Sequence, residues 1–218
     1  MATQRFTRKE AFGFGWEKMA KHFWFFVGML IVVMIAGGLQ DHFSKLDPKI
    51  FPAAHVVGTL VFWVVGLILQ MGLVRVALQL HDGVATGFDQ LFADCALFFK
   101  YLAGTVLYSL IVLGGLILLI VPGVMWSVRF QFYAYFIIDK GAGPVEALKL
   151  SSKLTEGARL DIFWFDLACF GAAILGVLAL FIGLFAAIPT IMMANVYVYR
   201  KLLPQIAEHP RNSDQRGV

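Results

Sequence analysis

Charged residues and cysteines are both scarce in this chain, and each shortage argues against a class of protein. Only 15% of the 218 residues are charged, whereas a soluble domain usually has about 25%. The two cysteines, Cys95 and Cys169, lie in a predicted surface helix and in an apolar segment, so a disulfide framework is not expected. The composition therefore disfavours both a soluble domain and a small secreted protein.

Recognisable catalytic and metal-binding motifs are also missing from the sequence. The five histidines are scattered, and no HExxH pattern, serine-nucleophile motif or phosphate-binding glycine loop is present. Most acidic residues stand at predicted helix starts, where capping explains them. We therefore predict no catalytic residues, no metal site and no cofactor, and we interpret the protein as a non-enzyme.

Apolar sequence is what the chain has in abundance, since 60% of its residues are hydrophobic and 21 are Phe. A membrane-spanning helix needs about 20 mostly apolar residues. The basic start is patterned as a helix, so we interpret the first apolar segment as a span that is not cleaved as a signal peptide. The fold class predicted is all-α integral membrane, with six transmembrane helices at Phe23–Leu39, Ala54–Leu80, Leu97–Ile120, Pro122–Ile138, 160–185 and Pro189–Lys201.

A unit that occurs three times organises these segments. Each copy opens with a short amphipathic helix, in which a capping residue is followed three positions later by an acid: Thr7 and Glu10, Thr86 and Asp89, Gly143 and Glu146. A second similarity supports the repeat, since Met71-Gly-Leu-Val-Arg75 and Met125-Trp-Ser-Val-Arg129 share the pattern Met-x-x-Val-Arg. We predict three hairpins, each preceded by a cytoplasmic interfacial amphipathic helix, at 7–22, 86–96 and 144–156. The repeat units are about 7–81, 86–139 and 143–201 within one membrane domain at 1–203, and 204–218 is predicted to be a flexible cytoplasmic tail.

The distribution of Lys and Arg predicts the orientation. Basic residues precede the first apolar segment, lie between the fourth and fifth, and follow the sixth, while the opposite side has only Lys45 and Lys49. Because basic loops stay on the cytoplasmic side, both termini and all three amphipathic helices should be cytoplasmic, in a bacterial inner membrane. The net charge of +4 then indicates contact with anionic lipid headgroups rather than with nucleic acid.

A few charged and polar side chains lie inside the predicted spans, where each is costly unless it is paired or hydrated. Arg129 should lie near mid-membrane, about 15 Å from the inner end of its helix at 1.5 Å per residue, and Arg75 and Asp166 lie nearer the inner end. One interpretation pairs Asp166 with Arg75 or Arg129 and so fixes the units together. A second makes the arginines a site for an anion or a phospholipid phosphate, lined by Gln131 and Tyr133. In a third, the arginine side chains snorkel to the inner surface.

One stretch resembles a known family. Its motifs are Leu119-Ile-Val-Pro-Gly-Val-Met-Trp-Ser-Val-Arg129-Phe, then Asp139-Lys-Gly, Gly143-Pro-Val-Glu-Ala-Leu148 and Ser152-Lys-Leu-Thr-Glu-Gly157. They resemble the YciC-like group of uncharacterised bacterial integral membrane proteins, related to the membrane domain of some glycerophosphodiester phosphodiesterases. The resemblance covers about 115–160 well and the remainder loosely. It implies a six-span fold but no activity, because the catalytic phosphodiesterase domain is missing.

The function predicted from these features is a non-catalytic membrane scaffold or accessory subunit in envelope or lipid homeostasis. Its partners would be membrane lipids and either further copies of itself or another membrane protein. The alternative is a transporter or lipid-handling protein with a site around Arg129. The parallel repeats and the apparent lack of a broken span count against transport.

Overall fold

The computed structural model describes residues 6–45, 52–179 and 182–214, and this part of the chain contains helices and no strand. Two short 3-10 helices lie at Phe88–Phe92 and Cys95–Leu97. The α-helices, in chain order, are α1 (Arg8–Lys21), α2 (Phe23–Ser44), α3 (Pro52–His81), α4 (Phe98–Leu118), α5 (Ile120–Phe130), α6 (Tyr133–Lys140), α7 (Pro144–Leu154), α8 (Arg159–Leu178) and α9 (Ile182–Asp214).

Four helical stretches are long and apolar enough to cross a membrane. Within the described residues they are Phe23–Phe43, His55–His81, Phe88–Leu118 and Arg159–Leu178. Helix α5 has only 11 residues, which is about 16 Å of rise against about 30 Å of hydrocarbon. The expected all-helical membrane class is therefore present, while six crossings stay a prediction.

Helix α1 begins as its sequence predicts. The Thr7 hydroxyl accepts a hydrogen bond from the Glu10 amide at 3.3 Å, and the Glu10 carboxylate accepts one from the Thr7 amide at 3.5 Å, which completes the capping box. The helix then crosses α9 so closely that a Cβ on Gly15 would lie 2.3 Å from the Thr190 carbonyl oxygen. The first helix is therefore held directly against the last one.

The second predicted amphipathic helix, at 86–96, is not an α-helix. The structure has the two short 3-10 helices there, and the Asp89 carboxylate accepts a hydrogen bond from the Gln90 side chain at 2.7 Å. The backbone of this segment lies against α3, where a Cβ on Gly72 would be 2.3 Å from the Leu91 carbonyl oxygen. The local sequence does not reveal this tertiary contact. The periodicity predicts an α-helix, and the segment that makes the contact is instead two 3-10 helices.

The turn between α4 and α5 also differs from the expectation. It falls at Leu119, whose backbone is extended (φ −167°, ψ 152°), whereas predicted spans that end at Ile120 and begin at Pro122 imply a turn at Val121. Pro122 lies in the first turn of α5, where a missing N–H costs nothing because that group has no partner within the helix. A Cβ on Gly115 would lie 2.8 Å from the Gly123 Cα, so the two helices touch through glycine.

The third hairpin turns earlier than predicted. Helix α8 ends at Leu178 and α9 begins at Ile182, whereas the sequence placed the turn near Pro189, and residues 180–181 of the predicted fifth span lie outside the described residues. Gly176 and Gly183 meet across this turn, because a Cβ on Gly183 would lie 2.9 Å from the Gly176 Cα. Pro189 lies within α9. The same helix continues to Asp214, so the described part of the expected flexible tail is helical, and 215–218 lie outside the description.

Each short segment expected to be amphipathic contacts the end of an earlier or later hairpin. Helix α1 packs against α9, the 3-10 helix at Phe88–Phe92 packs against α3, and α7 packs against α6. Because α1 comes first in the chain and α9 last, their contact joins the start of the described chain to its last helix. The threefold internal repeat itself stays a prediction.

The buried core lies towards one end of the molecule, which we call the charged end because Asp82, Asp139 and Arg200 meet there. Its largest fully buried side chains include Phe26, Phe132, Phe136, Leu154, Ile162, Phe165 and Tyr199. By contrast, the turn between α4 and α5 exposes only apolar residues, with Ile117 78% and Ile120 73% exposed. An exposed apolar tip of this size is typical of a surface that meets lipid.

Candidate functional site

The fourth predicted span is interrupted, and this break forms the centre of the candidate site. Helix α5 ends at Phe130 and α6 begins at Tyr133, with no proline or glycine between them. The buried Ser151 hydroxyl of α7 accepts a hydrogen bond from the Phe132 amide and donates one to the Arg129 carbonyl, both at 3.1 Å. The buried Thr155 hydroxyl donates to the same carbonyl at 3.2 Å. Helix α7 therefore satisfies the backbone groups that the break would otherwise leave unpaired.

The Arg129 side chain lies at the same break and is half-buried. Its Nε donates a hydrogen bond to the Ser152 hydroxyl at 2.6 Å, and its guanidinium carbon lies 5.3 Å from the centre of the Phe130 ring. Among the described residues no carboxylate is within 4 Å of the Arg129 guanidinium. Arg129 therefore has a polar contact and a ring contact but no counter-charge from the described part of the chain.

Arg75, in α3, has the counter-charge that Arg129 lacks. Its Nε donates to the Asp94 carboxylate at 2.7 Å, and a second guanidinium nitrogen contacts the other oxygen of the same carboxylate. Asp94 is only 7% exposed, so the carboxylate of this bidentate ion pair is shielded from water. The expected partner of Arg75 was Asp166, and the structure provides Asp94 instead because the segment after α3 folds back along that helix.

Asp166, in α8, pairs with an amide rather than with an arginine. Gln131, at the break, donates from its Nε2 to the Asp166 Oδ2 at 3.0 Å. The expected ion pair of Asp166 with Arg75 or Arg129 is not among the contacts of the described residues. Gln131 is thereby used to join the break to α8.

Tyr133, the remaining candidate, is also occupied by contacts within the chain. Its hydroxyl lies 3.0 Å from the Thr105 hydroxyl, and its ring stacks on Tyr108 with 5.0 Å between centroids. Of the four residues predicted to form a ligand site, Arg75, Gln131 and Tyr133 therefore have partners in the protein. Arg129 alone keeps an uncompensated charge.

A second polar cluster, which the sequence analysis did not identify, lies at the charged end. Arg200 of α9 donates to both oxygens of Asp139 at 2.9 Å and to Asp82 at 2.5 Å, and the Tyr199 hydroxyl donates to Asp139 at 3.0 Å. Burial alone would raise the pKa of Asp139, but the hydrogen bonds and charge of Arg200, aided by Lys140, lower it below its ordinary value of 3.8. The sequence showed these residues only as charges near helix ends.

An apolar groove lies between α3, α4 and α9, and its Tyr101 ring lies 6.3 Å from the ring of Tyr133 at the break. Its volume is about 370 Å³, and a smaller cavity of about 180 Å³ between α2 and α3 shares Gln70 and Leu73 with it. The groove is lined by Gln70, Leu73, Val74, Tyr101, Ile188, Ile191 and Met192. No charged side chain lines it among the described residues, so it offers apolar contact and no chemistry.

Thiols and potential metal-binding side chains are dispersed over the part of the chain that the structure describes. No group of three or more His, Cys, Asp or Glu side chains there could hold a metal ion. Both cysteines are free, Cys95 exposed and Cys169 buried. What the site can do is hold an anion against the Arg129 guanidinium.

Comparison with known proteins identifies similar chains without a described activity. No family model and no solved structure matches the chain. "Uncharacterized protein Mb2590" of Mycobacterium bovis and "Uncharacterized protein Rv2560" of Mycobacterium tuberculosis strain H37Rv are each 28% identical to it over 165 residues. The match covers 73% of this chain and 50% of each relative, so the chain spans about half the length of the curated relatives it matches. The resemblance to the YciC-like group stays a prediction.

Proposed function

We propose that the protein is a non-catalytic, polytopic protein of the bacterial inner membrane and acts as a scaffold or accessory subunit in envelope or lipid homeostasis. Three hairpins, α2 with α3, α4 with α5 and α8 with α9, enter the bilayer from the cytoplasmic side, where both termini lie. Four long apolar helices support the membrane location, and the excess of Lys and Arg on one side supports the orientation.

The observation that carries this proposal is the way the charged side chains are used. The Arg75–Asp94 pair joins α3 to the segment before α4, and Arg200 joins α9 to α6 and α3. The hydrogen bond from Gln131 to Asp166 joins the break to α8. These contacts connect different hairpins, so Arg75, Arg200 and Gln131 stabilise the packing of the helices against one another. A fixed arrangement of helices suits a protein that presents surfaces to partners.

The scaffold role can be tested by native mass spectrometry of the protein released from its own membrane in nanodiscs. We expect a stoichiometric protein companion or a self-oligomer. Two glycines, Gly38 in α2 and Gly171 in α8, have no atom within 4 Å of an added Cβ, so the side chain of a Leu at either position begins in open space. If only one of the two Leu variants loses the bound protein, the helix that carries that substitution contains the contact, and the other variant is the matched control.

The scaffold proposal fails on a different result from the same preparation. A lone monomer that moves lipid or solute across the bilayer of proteoliposomes would replace it with the transport alternative. Substitution of Arg129 then decides whether that activity uses the candidate site.

Two observations favour this second candidate, a transporter or lipid-handling protein. The span that contains Arg129 is broken after Phe130, and broken helices with satisfied backbone groups often line binding sites in transporters. Arg129 also keeps a charge that no carboxylate of the described residues balances. Both features concern one locus, the break between α5 and α6.

A further inference from the structure

Arg75 occupies the same sequence pattern as Arg129, so the surroundings of the two arginines can be compared directly. Arg75 and Arg129 each end a five-residue Met-x-x-Val-Arg pattern in the second helix of a hairpin. The segment after each hairpin opens with a residue that the sequence predicts as a cap, Thr86 in one case, where the structure has the cap at Gly87, and Gly143 in the other. Eight residues beyond Thr86 and Gly143 lie Asp94 and Ser151, respectively.

The side chains at these two positions, Asp94 and Ser151, make different contacts with their arginines. Asp94 binds the Arg75 guanidinium with both carboxylate oxygens. Ser151 instead binds backbone groups, the Arg129 carbonyl and the Phe132 amide. A serine has no charge to offer, so Arg129 lacks the counter-ion that Arg75 has. A half-buried guanidinium without a counter-ion is unfavourable unless an anion reaches it from outside the chain.

The surroundings of Arg129 indicate where that anion comes from. Ser152, which accepts the hydrogen bond from Arg129, and Lys153 follow Lys149 in α7 by three and four residues, so both flank Lys149 on the same side of the helix. Both lysines are exposed, and exposed ammonium groups cannot face hydrocarbon. The face of α7 that carries them therefore lies among the lipid headgroups, and Arg129 reaches the same level through Ser152. This level is shallower than the mid-membrane depth expected from the sequence.

We propose that Arg129 and Ser152, flanked by Lys149 and Lys153, bind the phosphate of an anionic phospholipid in the cytoplasmic leaflet. Because Nε is occupied by Ser152, the two terminal guanidinium nitrogens remain to donate to phosphate oxygens, in the forked geometry that arginine favours. The two lysines add positive charge without fixing a geometry. The inference deepens the lipid-handling candidate and rests on the membrane orientation proposed above.

Ser152 allows a test in which the chain supplies the missing carboxylate itself. In S152D, the new carboxylate should pair with Arg129 as Asp94 pairs with Arg75, and so displace the lipid. S152N has the same shape without the charge and is the matched control. The probe is a nanodisc of phosphatidylcholine with a minor fraction of phosphatidylglycerol, and native mass spectrometry counts the phosphatidylglycerol retained after release.

We expect the wild-type protein and S152N to retain one phosphatidylglycerol. In S152D and R129Q, the ratio of lipid-bound to lipid-free protein should fall at least about tenfold, which corresponds to the loss of a charge-assisted hydrogen bond. Retention by S152D equal to that of the wild type overturns the proposal. If S152D does not fold, as gel filtration would show, the double variant K149Q/K153Q decides, since both side chains are exposed and outside the core. Unchanged retention there also overturns the proposal.

A further arm separates a lipid from a free phosphate, which shares its chemistry. Inorganic phosphate is added to the wild-type protein in pure phosphatidylcholine nanodiscs. Protection by phosphate against thermal unfolding that S152D abolishes, without retention of phosphatidylglycerol, overturns the lipid assignment. If the membrane orientation itself is wrong, a membrane-impermeant thiol reagent fails to label the exposed Cys95 from the cytoplasmic side, and the two failures are told apart.

Discussion

Replacing Arg75 by Leu should destabilise the protein much more than the same replacement of Arg129. Loss of Arg75 leaves the Asp94 carboxylate, which is 7% exposed, without its partner. Breaking a buried ion pair in this way costs about 3–5 kcal/mol, and we expect about 3 because the Arg75 side chain is itself 29% exposed. Loss of Arg129 removes one hydrogen bond from a charged group to a half-buried hydroxyl, which is worth about 1.5 kcal/mol, the low end for such bonds.

Equilibrium unfolding in mixed detergent and dodecyl sulfate micelles, followed by the fluorescence of the five tryptophans, measures both free energies. The double variant R75L/D94L should recover most of the loss, because it removes the stranded charge together with its partner. The reasoning is refuted if the two single Leu variants lose the same stability. It is refuted equally if the double variant is as unstable as the sum of its parts.

Three further predictions concern packing, backbone capping and pH. Gly15→Ala should destabilise by about 2 kcal/mol or more because its Cβ meets the backbone of α9, while Gly13→Ala, with nothing within 4 Å, should be neutral or stabilising by up to about 1 kcal/mol. Ser151→Ala should cost about 1–3 kcal/mol, because it leaves the Phe132 amide at the break unpaired, while the Arg129 carbonyl keeps the Thr155 hydroxyl. The stabilisation from Asp139, whose pKa is lowered by Arg200, is present above pH 3.8 and is lost as the pH falls through the lowered value, so Asp139→Asn should lower the melting temperature at pH 7.

Each of these has an outcome that would contradict it. Equal melting temperatures for the Gly15 and Gly13 variants would mean that α1 is not held against α9. A Ser151 variant of wild-type stability would mean that the break finds its hydrogen bonds elsewhere. For Asp139, the difference from the wild type should shrink at acid pH, and a constant difference from pH 7 down to pH 3 would show that the carboxylate charge is not responsible.

The sequence predicted well those features that depend on neighbouring residues. The Thr7–Glu10 capping box, the amphipathic α7 and the long apolar helices all follow from local spacing, and all are present. The break after Phe130 could not be predicted in the same way, because no proline or glycine marks it. It depends on two hydroxyls more than 18 residues further along the chain, and only the folded structure brings them together.

The candidate site was predicted in part for the same reason. Arg129 and Arg75 were recognisable as unusual charges within apolar sequence. Their partners were not, because Asp94 stood in a predicted surface helix and Ser152 looked like an ordinary polar residue. The pairing depends on how far each short segment folds back along the preceding helix, which periodicity does not encode.

The turn between α4 and α5 has a consequence for the shape that the protein imposes on a bilayer. From Leu113 to Met125 every residue is apolar, Gly or Pro, and α5 rises only about 14 Å from Arg129 to its first residue, Ile120. With Arg129 at the headgroups, the tip of this hairpin reaches about half of the hydrocarbon thickness, and α4, although long enough to cross, ends at that tip. It then displaces lipid from the cytoplasmic leaflet and much less from the outer one. Such a wedge expands one leaflet, so the protein should collect where the membrane bulges towards the cytoplasm, and an even distribution between flat and tubular membranes would contradict this.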